Sequence, residues 1–155
     1  MAPSFFSKHR HTQVSRSRLP LILYVTSIVF SIFLFYWSGI YCRYNRCGES
    51  LSWPEKNRQY AQYFPILTAP LIAMISLAWF ITNVFYTNTP CAIAYNCMEM
   101  PSAVFCSLLA GISAVIEIHY SIDFNHLEWS EKWSWAAADS VALSAIHAVL
   151  AFALQ

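Results

Sequence analysis

Long uncharged apolar stretches alternate with short polar ones along this chain, on a scale that suits membrane crossings rather than a water-soluble core. After a polar start, Leu19 to Tyr41 holds no charged residue, enough for one helical crossing at about 20 residues each. Pro20 falls in the first turn, where its missing N–H costs nothing. Tyr36, Trp37 and Tyr41 mark the far end, since amphipathic rings prefer headgroup depth. A charged loop follows from Cys42 to Gln62, with Arg43, Arg46, Glu49, Glu55, Lys56 and Arg58, and Trp53-Pro54 breaks it in the middle.

Tyr60 to Met98 again lacks any charge, too long for one crossing and too short for two with a loop. One helix plus an uncharged turn is the economical reading. It predicts a second span at about 64–86, with Pro65 near its start, Pro70 as a mild internal kink and a stop at Asn88-Thr89-Pro90. Third and fourth spans are predicted at about 101–120 and 133–154. The loop between them, Ser121 to Lys132, holds Asp123, Glu128, Glu131 and Lys132, and Trp129, Trp133 and Trp135 form an aromatic belt at the helix entry. The pattern predicts an all-α membrane protein, a four-transmembrane-helix bundle over 19–155 behind a basic, disordered tail over 1–18.

Four crossings place both termini on one side. Lys8, Arg10, Arg16 and Arg18 lie on the terminal side, and Arg43, Arg46, Lys56, Arg58 and Lys132 on the other. The first helix usually dominates orientation and its near flank is purely basic, which predicts cytosolic termini. A cleaved signal peptide is not expected, because its apolar region would span roughly 7–15 residues and end in a small-residue cleavage site.

Composition sharpens the class: 57% of residues are hydrophobic and 11% charged, against about 25% charged in soluble domains. The net charge of +1 and the lack of a basic cluster give no reason to expect nucleic acid. The expected partners are membrane lipids, another integral membrane protein or further copies of the chain. The five cysteines form no C-x-x-C pair and no His stands at ligand spacing, so neither a metal site nor a cofactor is expected. Cys42 and Cys47 flank the outer mouth of span 1, where an oxidising lumen would favour a disulfide. Cys91 and Cys97 are placed in the short cytosolic loop, as candidates for palmitoylation or as plain thiols. Cys106 reads as a small packed side chain within span 3.

Three ionisable residues, Glu117, Asp139 and His147, fall inside predicted spans. A charge at the bilayer centre costs at least about 2.5–3.5 kcal/mol, so such residues face the bundle or lie near its rim. Glu117 sits about one turn below the outer end of span 3, and Asp139 about one to two turns below that of span 4. The two carboxyls can share a site, one staying protonated and donating to the other, or each can bond a serine or backbone group. His147, two turns deeper on roughly the same face as Asp139, reads as a packed histidine bonded to a neighbouring helix.

Spans 3 and 4 also carry small residues four apart: Ser107 and Gly111, Ala110 and Ala114, Ala138 and Ala142, Ser140 and Ser144, Ser144 and Ala148. Small side chains let helices approach closely in lipid, where van der Waals contact is a main attraction. A tight span 3–span 4 pair is expected, while the larger side chains of spans 1 and 2 (Phe30, Phe33, Phe35, Trp79, Phe80) suggest more lipid-facing or partner-facing surface.

"SAVIEIHYS" (Ser113 to Ser121) and "AIHAVLAF" (Ala145 to Phe152) give the last third of the chain its likeness. It resembles the MARVEL family of four-span proteins, in particular the myelin-and-lymphocyte (MAL) branch, with Glu117 and His147 on the family's positions. Asp139 and the long first loop depart from that pattern. The resemblance implies a non-enzymatic membrane organiser, trafficking factor or accessory subunit of plasma, secretory or vesicle membranes, acting on lipids, sterol among them, and on other membrane proteins. Read from the residues alone, no nucleophile–base constellation or glycine-rich phosphate loop appears, and no catalytic residue is expected. Two other classes stay open: a small channel or proton-coupled carrier built on Glu117, Asp139 and His147, and a membrane thiol oxidoreductase. The latter would need C-x-x-C, whereas Cys42/Cys47 are spaced C-x4-C and Cys91/Cys97 C-x5-C.

Overall fold

The computed structural model describes residues 18–39, 58–85, 90–126 and 130–155. The basic tail, the Cys42/Cys47 pair and Trp129 lie outside them. Helix α1 covers Arg18–Gly39. A short 3-10 turn, Tyr60–Gln62, runs directly into α2, Tyr63–Phe85, and α3 (Pro90–Asp123) and α4 (Ser130–Ala153) follow. The described residues contain no strand. Among the described residues, four segments are long and apolar enough to cross a bilayer: Arg18–Gly39, Tyr60–Phe85, Cys97–Asp123 and Glu131–Ala153, with mean hydropathies of 2.2, 2.0, 1.8 and 1.6. The chain is an integral, multi-pass membrane protein, all-α over its described residues.

The inward positions explain why these helices form a bundle. On α1 they are Tyr24, Ser27, Ser31, Leu34 and Ser38; on α3, Ala103, Cys106, Ala110, Ser113, Glu117 and Tyr120; on α4, Trp133, Ala136, Ser140, Leu143, His147 and Leu150. Steps of three and four alternate in each set. That 3.5-residue period keeps one seam turned toward neighbouring helices, as in knobs-into-holes packing. The opposite faces present Ile22, Leu67, Met74, Val115 and Phe152, a suitable surface for acyl chains. Because lipid is as apolar as leucine, helix association relies on close packing and interhelical hydrogen bonds.

The helices form a ring. The α3–α4 interface is the most extensive, α1 packs on both α2 and α4, and α2 packs on α3. Paired residues fix the directions: Tyr24 and Ser38 of α1 meet Glu99 and Glu117 of α3 in the same order, so those helices run parallel. Ser107 and Ser121 of α3 meet Ser144 and Ser134 of α4 in reverse order. This is the up-and-down arrangement of a four-helix bundle. Leu34, Ala69, Ile72, Cys106, Ala110, Ala136 and Leu143 make its central apolar layer, with Cys106 packed inside it as its position suggested.

Several boundaries differ from the expectation. Helix α2 ends at Phe85, but Pro90 opens α3 rather than merely stopping α2. Proline suits the first helical turn, where no carbonyl requires its N–H. Cys91 and Cys97 consequently lie in helix, not in a loop, and Cys97 is exposed. Both Pro70 and Pro101 are accommodated within continuous helices. Helix α3 extends to Asp123 and α4 begins at Ser130, so the polar loop is shorter than predicted. Of the expected aromatic belt, Trp135 is exposed, but Trp133 turns inward and packs 5.7 Å from the Tyr120 ring. Lys132 places its Nζ 4.4 Å from the Trp37 ring centroid, a cation–π contact that ties the start of α4 to the end of α1.

Candidate functional site

The polar groups inside the bundle form three layers, each joining several helices. The first surrounds Glu117, which is fully buried. Ser38 Oγ, from the last turn of α1, donates to its Oε1 at 2.7 Å. Gln62 Nε2, from the turn preceding α2, reaches both carboxyl oxygens at 3.3 and 3.4 Å. The 3-10 turn positions Gln62 by carrying the chain over the bundle's edge before α2 begins. One turn further along α3, Tyr120 donates to Gln59 Oε1 at 3.1 Å, so two side chains of this connection are held by α3.

The second layer lies deeper. His147 Nε2 of α4 and Ser27 Oγ of α1 are 2.8 Å apart, and the same Ser27 hydroxyl is 2.9 Å from Ser76 Oγ of α2. Ser27 thus bridges two helices. A hydroxyl can donate once and also accept, so the one Ser27 oxygen can serve both neighbours. His147 Nδ1 is buried without a hydrogen-bond partner among the described residues, as are Ser31 Oγ and Ser140 Oγ.

The third layer lies at the opposite end from Glu117 and centres on Glu99, which is buried at 4% exposure. Tyr24 of α1 donates to its Oε1 at 2.6 Å, and Asn83 Nδ2 of α2 donates to the same oxygen at 2.8 Å. Glu99 and Glu117 are on one face of α3, roughly 27 Å apart at 1.5 Å per residue. Between Glu117 and the His147 layer stand Leu34, Ile72 and Leu143, all with no exposed surface.

Of the three ionisable residues singled out from the sequence, the structure bonds Glu117 and His147 across helices but does not bring Glu117 and Asp139 into a shared site. Glu117 is bonded by Ser38 and Gln62 instead. Asp139 is half-buried on the flank of α4, and its Oδ2 has no hydrogen-bond partner among the described residues. The reason is angular: Glu117 points to the bundle axis, whereas Asp139 immediately precedes the axial position held by Ser140 and is therefore turned away by about 100°.

The small residues meet mainly between α3 and α4. Ser107 Oγ donates to the Ser144 carbonyl at 3.0 Å, and Ser144 Oγ returns a bond to the Ser107 carbonyl at 3.1 Å. A Cβ built on Gly111 would stand 3.7 Å from Ser144 Oγ, ordinary contact. Ala110, Ala114 and Ser140 are buried, while Ala138 faces outward. Ala148 lines an apolar groove of about 330 Å³ between α3 and α4, together with Val104, Leu108 and Phe152.

Sequence reasoning missed Glu99, and it missed every partner of the ionisable groups: Tyr24, Ser27, Ser38, Gln62, Ser76 and Asn83. A signal for them existed in the 3.5-residue spacing of Tyr24, Ser27, Ser31 and Ser38 along an otherwise bulky helix. No group of three His, Cys, Asp or Glu side chains among the described residues is placed to hold a metal ion. What the layers can do chemically is hydrogen-bond helices to one another in fixed register. Comparison with protein-family models, with curated proteins and with solved structures finds no match.

Proposed function

We propose that this chain is a non-enzymatic four-span membrane organiser, trafficking factor or accessory subunit, one that packs against lipids and a partner membrane protein. The observation that carries this reading is the disposition of Glu99, Glu117 and His147, whose hydrogen bonds run to α1, α2 or the turn before α2. Buried polar groups committed in this way fix helix register and leave a largely apolar outer surface for recognition within the bilayer. The likeness of Ser113 to Ser121 and Ala145 to Phe152 to the MARVEL family, MAL-like branch, points the same way. In this reading both termini face the cytosol, and the protein resides in plasma, secretory or vesicle membranes.

The test is purification from native membranes in mild detergent. A stoichiometric membrane partner or a defined homo-oligomer supports the reading, and a monodisperse monomer without lipid preference contradicts it.

A second reading, a proton-coupled carrier, draws on Glu99, His147 and Glu117 facing a common interior. The Leu34, Ile72 and Leu143 layer argues against it by separating Glu117 from His147. Proton flux in reconstituted vesicles that falls in Glu117→Gln would favour the carrier, and flux indistinguishable from empty vesicles would remove it.

A further inference from the structure

Asp139 stands apart from the other ionisable groups of the crossings. Glu99, Glu117 and His147 each have hydrogen bonds to other helices, whereas the described residues give Asp139 none, and its Oδ2 is buried without a partner. The residue is half-buried, so part of it is open to the lipid side while Oδ2 is turned in against the bundle. Counting from Glu131, where the fourth crossing begins, Asp139 lies about 12 Å into the bilayer at 1.5 Å per residue. A carboxylate at such a depth is strongly disfavoured unless paired.

We propose that Asp139 docks a transmembrane helix of a different protein, one that carries a lysine or arginine about two turns inside the bilayer. This rests on the accessory-subunit reading and names the chemistry of its partner. Charge complementarity selects the occupant. The described lysines and arginines are Arg18 and Lys132, near helix starts, and Arg58, in the turn before the 3-10 element, and Lys132 is held over Trp37. Among the described residues, a second copy therefore offers no lysine or arginine at the depth of Asp139. It would bring only another acid there, and two facing carboxylates repel unless they share a proton.

The surroundings suit an incoming helix. Lys132 and Asp139 are seven residues apart, two turns along one flank of α4, and Lys132 contacts α1, so Asp139 faces the seam between α1 and α4. On the adjoining lipid face of α4, turned about 60–120° from Asp139, lie Ala138 and Ala145, both exposed, with Ala142 partly so. Small side chains at steps of three and four allow a second backbone to come close, which brings a cationic side chain within reach of the carboxyl.

The test uses the full chain in phosphatidylcholine vesicles with a labelled leucine-alanine model helix of about 20 residues, bearing one lysine a third of the way along. Energy transfer reports association. The lysine helix is expected to bind the wild-type chain about tenfold more tightly than the same helix with leucine, the scale of a charged hydrogen bond. A glutamate-bearing helix is expected to show no such gain. The advantage should vanish in Asp139→Asn and persist in Asp139→Glu. Equal binding of lysine and leucine helices to the wild type overturns the proposal without relying on any variant's folding. In native membranes, a stoichiometric partner that remains bound to Asp139→Asn overturns it while leaving the accessory reading intact. Self-association released by Asp139→Asn also overturns it, because a second copy would then be the occupant.

Discussion

The two halves of the bundle contribute different things. Helices α3 and α4 approach each other through small residues and a reciprocal pair of serine-to-carbonyl bonds, Ser107 with Ser144, and they carry Glu99, Glu117 and His147. Among the described residues, helices α1 and α2 and the turn before α2 carry no charged residue at a buried position and instead supply the partners: Tyr24, Ser27, Ser38, Gln62, Ser76 and Asn83. The α3–α4 half is fastened by close packing together with short serine bonds, and the halves are fastened to each other by the bonds of the buried ionisable groups. In lipid neither device is dispensable, because apolar burial gives no preference between a helix neighbour and an acyl chain. The bulky side chains of α1 and α2 suggest lipid-facing or partner-facing surface, and their inward stripe also completes every polar layer.

This contrast sets an order for substitutions, read as unfolding free energies in bicelles. Glu117→Ala is expected to be the most damaging. It strands Ser38 Oγ and Gln62 Nε2 in a buried site, at about 2–3 kcal/mol for the unmet groups, whereas Glu117→Gln, which keeps an acceptor for Ser38, should lose less than half of that. Next comes His147→Ala, which removes the α4 end of the Ser27 relay and leaves a cavity, at about 2 kcal/mol. Tyr24→Phe deletes one of two donors to Glu99 Oε1 while Asn83 remains, at about 1 kcal/mol. Ser107→Ala, within the shape-fastened half, should lose about 0.6 kcal/mol, the average for an interhelical bond in a membrane bundle. Gly111→Ala is expected to lie within about 0.5 kcal/mol of wild type, since its new methyl meets Ser144 Oγ at ordinary contact distance. A reversal, with Gly111→Ala severe and Glu117→Ala mild, would dissolve the distinction between the halves.

The sequence made the four crossings legible because uncharged runs of that length have few other uses. The boundary around Pro90 was misjudged because proline punctuates in both directions, ending one helix and opening the next. That error also hid Glu99, which appeared to belong to a loop while α3 in fact runs through it. Glu117 and His147 stood out because a charge in an apolar run is costly. Their partners did not, since serine and tyrosine occur throughout membrane helices and only spacing marks the ones that face inward. Asp139 shows a further limit: depth along a helix can be counted, but pairing it with Glu117 also required its angle about α4, which the bundle's 3.5-residue seam sets.

The most direct test of the central claim, that the buried polar groups fasten α1 and α2 to α3 and α4, is a double-mutant cycle on Ser38 and Glu117. Unfolding of Ser38→Ala, Glu117→Ala and the double variant would be measured in bicelles under one set of conditions. The bond of 2.7 Å between them should give a coupling free energy of about 1–2 kcal/mol. Strict additivity, with the two losses simply summing, would contradict the account.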